Sequence, residues 1–118
     1  MAARPRRILV GYDGSSASRR ALDAVADLAG YGSSVAVLAA PRDLENAAAE
    51  LRRRVDEARE ALLRRHVAAR CFAAEGDRAE SLLKVARDLD VDLLVVARPS
   101  AGAATAVDRA ECDVLLVA

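Results

Sequence analysis

Lysine is almost missing from this chain. Lys84 is the only one, and 17 arginines carry the rest of the positive charge. A GxxxxGK[ST] phosphate loop needs its lysine at a strand-to-helix turn, whereas Lys84 falls mid-helix, so that chemistry is excluded. Receiver-type phosphotransfer would need a lysine after a fifth strand, an acidic pair after the first and an aspartate after the third. Only Asp13 fits that set. Cysteine and histidine are scarce too. Cys71, Cys112 and His66, with no CxxC, leave too few ligands for a structural zinc site, and no metal is expected. Both cysteines fall in or beside predicted strands and read as small buried hydrophobes in a reducing cytoplasm, the expected location, rather than as a disulfide. Neither sign of charge prevails: 18 basic residues face 18 acidic ones. That balance gives no field to steer the chain onto nucleic acid or an anionic membrane, and neither is expected as a partner. Long hydrophobic runs are also absent. The longest charge-free stretch, Leu28 to Pro41, has 14 residues, short of the ~20 that a bilayer crossing takes. Arg4, Arg6 and Arg7 precede an apolar stretch that Asp13 soon interrupts, which is not the pattern of a secretory leader.

What is present suits one globular domain: 118 residues, 53% hydrophobic and 31% charged. Residues 1–7 read as a flexible basic arm and 8–118 as the domain. Four short runs are apolar without alternation: Ile8–Val10, Val35–Leu38, Leu93–Val96 and Val114–Val117. Strands with one wet face alternate; continuous runs signal burial on both faces, as in a parallel sheet covered by helices. A fifth run, Ala69 to Ala74, carries Arg70 in its middle and belongs at a sheet edge.

Helical periods separate the runs. Ala21, Leu22, Val25, Leu28 and Ala29 recur at three- and four-residue spacing, with Ser15, Ser16 and Ser18 as N-cap choices and Gly30 and Gly32 as a left-handed stop. The longest helix is predicted from about Asp43 to His66. Its apolar stripe is Leu44, Ala48, Leu51, Val55, Ala58 and Leu62, and its wet face includes Arg52, Arg53, Asp56, Glu57, Glu60 and Arg64. His66, at the end of that helix, reads as a surface residue favoured by the helix dipole rather than as a catalytic base. A third helix opens at Asp77, with Glu80 as capping-box partner, and a short one spans about Ala103 to Arg109. The order β-α-β-α-β-α-β-α-β makes an α/β fold: a single-domain, open, doubly wound, Rossmann-like parallel sheet of five strands with helices on both faces.

In such sheets ligands bind beyond the carboxyl ends of the strands, where strand order reverses. The first strand delivers Gly11-Tyr12-Asp13-Gly14-Ser15-Ser16 to that edge. Gly11 and Gly14 let backbone approach a ligand, and the first N–H groups of the following helix suit an anion. Asp13 has two readings from its position alone, a turn or cap carboxylate and an acceptor for a ribose or adenine. No GxGxxG loop is present, and Ser15 and Ser16 lack a GxSxG elbow.

Ile8-Leu9-Val10-Gly11-Tyr12-Asp13-Gly14-Ser15, followed by an alanine-rich helix, resembles the opening of universal stress protein domains. Glu75-Gly76-Asp77-Arg78-Ala79-Glu80, Leu82–Ala86, Asp92–Val96 and the ending Ala110-Glu111-Cys112-Asp113-Val114-Leu115-Leu116-Val117 extend the resemblance over residues 6–118. It implies a stress-response domain whose ATP-binding members follow the fourth strand with Gly-x2-Gly-x9-Gly-Ser/Thr. Those glycines let backbone N–H groups wrap the phosphates. Here Ala97 and Ser100 stand where the first two glycines belong, much of the loop is missing, and Pro99 removes a donor. Arg98 is left as a phosphate partner and Gly102 as the start of the last helix.

The expectation is therefore a non-catalytic regulatory and interaction module with no cofactor, whose degenerate nucleotide site binds ATP poorly or not at all. The alternative is a protein that binds ATP or AMP weakly through Asp13 and the Gly14-Ser15 turn. The candidate nucleotide residues are Gly11, Tyr12, Asp13, Gly14, Ser15, Ala97, Arg98, Ser100 and Gly102. The resemblance also implies a sheet-edge last strand that pairs with its twin. A homodimer is thus expected through Cys112, Asp113, Val114, Leu115, Leu116 and Val117, since an apolar unpaired strand is a template for another chain.

Overall fold

A computed structural model describes residues 7–30, 32–42, 45–100 and 102–118. The expected basic arm lies outside them except for Arg7, which opens the first strand. The elements run β1 (Arg7–Tyr12), α1 (Ser16–Leu28), β2 (Ser34–Ala39), α2 (Ala47–Leu63), β3 (Ala69–Ala73), α3 (Arg78–Asp88), β4 (Leu93–Ala97), α4 (Ala103–Arg109) and β5 (Asp113–Val117). All five strands are parallel, in the order β3-β2-β1-β4-β5. The weak fifth run is β3, at one edge; β5 is at the other.

The strand side chains explain the continuous apolar runs. Ile8, Val10, Val35, Val37 and Val95 point to one face, where Ala21, Leu22 and Val25 of α1 and Ala58 and Leu62 of α2 cover them. Leu9, Ala36, Leu38, Leu94 and Val96 point to the other, under Leu82 and Ala86 of α3 and Ala103 and Ala106 of α4. Each central strand therefore has two dry faces, and alternation disappears. The two edge strands stay half exposed.

The helix boundaries follow their caps. Ser15 Oγ accepts from the Ser18 N–H (3.1 Å) and starts α1; Asp77 Oδ1 accepts from the Glu80 N–H (2.9 Å) and starts α3. The expected capping box is only half made, because the Glu80 carboxylate takes Arg109 Nη1 (2.5 Å) from α4. The stop of α1 also differs from expectation. Ala29 is already extended, and of the two glycines only Gly32 takes a positive φ. Helices α2 and α3 close on left-handed residues that are not glycine, His66 (φ 62°) and Asp90 (φ 54°). In each case the next N–H reaches back five residues, Val67 to the Leu62 carbonyl and Val91 to Ala86 (2.9 and 3.0 Å).

Helix α2 departs most from its predicted pattern. It is shorter than Asp43–His66, and Asp43 and Leu44 lie outside the described residues. Ala48 is exposed, Leu51 and Val55 are half-buried, and Glu50 is 3% exposed. Helix α2 turns Glu50, Arg54 and Glu57, at helical spacing, toward Tyr12 and the loops that follow β1 and β2. Glu50 Oε2 accepts from the Arg42 N–H (2.6 Å) and Arg54 Nε (3.3 Å), while Glu57 Oε1 accepts from Arg54 Nη1 (2.8 Å) and the buried Tyr12 hydroxyl (2.9 Å). Glu57, expected on the wet face, keeps its side chain 38% exposed, while its Oε1 reaches inward to the Tyr12 hydroxyl. Burial pushes the Tyr12 hydroxyl up from its usual pKa, and the Glu57 carboxylate beside it adds to the rise.

Candidate functional site

Strand order reverses between β1 and β4, so the loops leaving these two strands diverge to opposite faces and open a cleft at their carboxyl ends. From β1 the chain turns sharply at Gly14, whose φ is +84°. The conformation favours glycine, and a Cβ there would come within 2.6 Å of the Arg54 guanidinium, which would have to shift. The turn folds Asp13 back onto the start of α1: its Oδ1 accepts from the Ser15 N–H (2.9 Å) and the Ser18 hydroxyl (3.0 Å). Its Oδ2 meets Arg78 Nη1 at 3.2 Å. Arg78, the first residue of α3, also donates Nη2 to the Pro41 carbonyl (3.1 Å) after β2. Burial pushes the Asp13 carboxyl up, but the Ser15 and Ser18 hydrogen bonds and the Arg78 charge outweigh it and hold it below its usual value.

Gly11, Tyr12, Asp13, Ala97, Ser100 and Gly102 line the cleft together, over a floor that includes Leu38, Leu82 and Val96. The cleft is open at its mouth and holds about 30 Å³ of accessible space, room for a water or two and far below the about 300–1,000 Å³ of small-ligand sites. Gly14 and Ser15 shape the turn beside it without lining it. Arg98 stands apart: its side chain is exposed, and its backbone N–H joins the β4–β5 ladder at the Val117 carbonyl (2.7 Å). The cation at the cleft is Arg78 instead. Sequence reasoning missed it because 65 residues separate it from Asp13. The available signal was its place directly after the Asp77 cap, since every β-to-α loop of a parallel sheet emerges at the same edge.

Ser100 is the most informative residue here. Among the described residues its Oγ is the one buried side-chain polar atom without a hydrogen-bond partner. An unmet hydroxyl in a cleft wall is costly unless something binds there. Gly11 and Gly102 add room: a Cβ at either would touch only Leu82, at 3.8 and 3.5 Å, so the fold itself tolerates alanine at both.

The family model for the universal stress protein family matches residues 5–118. The chain belongs to that family. No curated protein matches it. Among solved structures, a universal stress protein in complex with cAMP is 23% identical, with 98% of both chains covered and a TM-score of 0.84. A universal stress protein family member from Burkholderia pseudomallei is 28% identical over 98% of both chains, at 0.75. The Archaeoglobus fulgidus protein in complex with dAMP is 16% identical, covering 98% of this chain and 100% of its own, at 0.82.

These complexes correct the expectation of a module without a cofactor. Two universal stress proteins of similar fold are seen in complex with cAMP and dAMP. The departures at Ala97 and Ser100 concern the loop that the resemblance assigns to the phosphates, and they leave the rest of the cleft in place. A cleft with an apolar floor and an unpartnered buried hydroxyl survives at the β1 and β4 ends.

Proposed function

We propose that this universal stress protein is a stress-response domain that binds an adenine mononucleotide in the cleft between the β1 and β4 ends. The observation that carries this reading is the buried, unpartnered Ser100 hydroxyl in the cleft wall. The complexes of similar folds with cAMP and dAMP support the ligand class. Leu38, Leu82 and Val96 suit the faces of a purine, and Ser100 and the remaining lone pair of Asp13 suit its polar edge or the ribose. Five residues join β4 to α4, too few to wrap a triphosphate, so ATP gains nothing over AMP from its outer phosphates. No enzymatic step is proposed. Among the described residues the cleft brings no nucleophile, base and oxyanion donor together, and the ligand acts as a signal rather than a substrate. We also propose a homodimer through β5, where an edge strand leaves Val114 to Val117 half exposed.

Calorimetry with AMP, ATP and the Ser100→Ala variant tests the binding. The wild type binds AMP and ATP equally well. Ser100→Ala weakens AMP by about threefold to tenfold, the worth of one hydrogen bond, while its melting temperature holds or rises, since no protein partner is lost. Absence of binding heat for AMP and cAMP in the wild type overturns the reading.

A further inference from the structure

We infer that Arg78 sets the charge class of the ligand, selecting adenine nucleotides that carry a phosphate over neutral nucleosides; this rests on the cleft being a nucleotide site. Among the described residues that line the cleft, Asp13 and Arg78 alone are charged. Both are largely withdrawn from water, with side chains 16% and 29% exposed, and lie 3.2 Å apart. The pair makes the cleft neutral; without Arg78 it carries one unpaired negative charge, held by Asp13.

Two consequences act in the same direction. An anionic ligand entering a cleft that holds an unpaired carboxylate is repelled, and at this degree of burial the repulsion is poorly screened. Arg78 cancels it. A guanidinium has five N–H donors in a planar fork, and two of them are taken by Asp13 and the Pro41 carbonyl. The fork therefore has donors for phosphate oxygens while still holding Asp13. A neutral nucleoside has the opposite difficulty. Its hydroxyl or amino donors must share Asp13 Oδ2 with Arg78, and if they displace the guanidinium they leave it without a counter-ion. Arg78 thus favours the phosphate and disfavours the bare nucleoside, and the ratio of the two affinities reports both effects. The groups facing Asp13 are the N–H of Ser15, which caps α1, Ser18 of α1 and Arg78 of α3; Arg78 is the charged one.

The test titrates adenosine and AMP separately into the wild type, Arg78→Ala and Arg78→Lys. The wild type prefers AMP by at least about tenfold, the effect of one half-buried charge. Arg78→Ala removes that preference or reverses it, because adenosine tightens as AMP weakens, and Arg78→Lys restores most of it. A merely structural role would weaken both ligands alike and leave the ratio unmoved. Arg78→Gln, which can still reach the Pro41 carbonyl, replaces Arg78→Ala if that variant does not fold. A ratio within about twofold of wild type in the neutral variant overturns the inference while leaving the nucleotide site standing. A wild type that binds neither ligand overturns both.

Discussion

Asp13 has two readings from sequence, and its hydrogen bonds favour the structural one without using the carboxylate up. Oδ1 is committed to the Ser15 N–H and the Ser18 hydroxyl, and Oδ2 has one partner, Arg78. Removing Asp13 would therefore loosen the α1 start and the α3 tether together, and a loss of ligand binding in such a variant would not separate contact from shape. Its charge has a cleaner consequence. The folded-state carboxyl is held below the ordinary 3.8, so its contribution to stability is complete above that pH and fades as the pH falls through the lower folded value. Asp13→Asn keeps the acceptor for Ser15 but removes the charge that Arg78 faces. At pH 7 it costs about 1–3 kcal/mol. The gap in melting temperature between variant and wild type then closes as the pH is lowered past the normal carboxylate range. A gap that stays constant down to pH 2 would mean that the charge contributes nothing.

At the scale of elements, the sequence was most legible where burial is simplest. Strands β1, β2 and β4 showed as continuous runs because helices cover both of their faces, and Arg70 marked β3 as an edge. The caps Ser15 and Asp77 were legible because capping is local chemistry. The phase of α2 was not. Glu57 looks solvent-facing until Tyr12, distant in sequence, is brought against it, and Glu50 is buried where the Arg42 backbone meets it. Arg78 was hidden for the same reason: its partner lies across the sheet edge. The helix stops were also unreadable, since His66 and Asp90 occupy left-handed positions where glycine is the usual signal. That yields a prediction. A left-handed conformation costs an L-residue roughly 1–2 kcal/mol, part of which glycine gives back through its freer unfolded chain. His66 is exposed, so His66→Gly stabilises by about 0.5–1 kcal/mol, or about 2–5 °C in a thermal melt of a domain this size. Asp90→Gly gains less, because aspartate tolerates the conformation better and Asp90 pairs with Arg7 at 3.1 Å. A lower melting temperature for His66→Gly would show that its side chain stabilises the α2 end by more than the strain costs.

At the scale of the whole molecule, the sheet leaves its two edges in different states. Strand β3 exposes Arg70, whose guanidinium lies 5.7 Å from the Phe72 ring centre and discourages pairing. Strand β5 has an acidic start at Asp113 and then four consecutive apolar residues, all half exposed, and no described segment pairs with its outer side. Arg20 of α1 donates Nε to the Ala118 carbonyl (2.6 Å) and steadies the strand's end. A second β5 laid antiparallel about a two-fold axis would satisfy that edge and bury the apolar side chains of both copies. The strand's hydrogen-bond pattern indicates where to break the pairing. The Val117 carbonyl accepts the Arg98 N–H, and in a strand the N–H and C=O of one residue point to the same side. The backbone of Val117 is therefore turned inward to β4, and a proline there would damage the sheet itself. The residues whose N–H groups face outward alternate with it, and Leu116 is one. Leu116→Pro removes an outward donor, while Leu116→Ala loses comparable packing and keeps that donor. Sedimentation at tens of micromolar should find wild type and Leu116→Ala dimeric and Leu116→Pro monomeric. A monomeric wild type, or a proline variant that dimerises as before, would place the interface elsewhere, because an edge held by backbone hydrogen bonds cannot lose its central donor without effect.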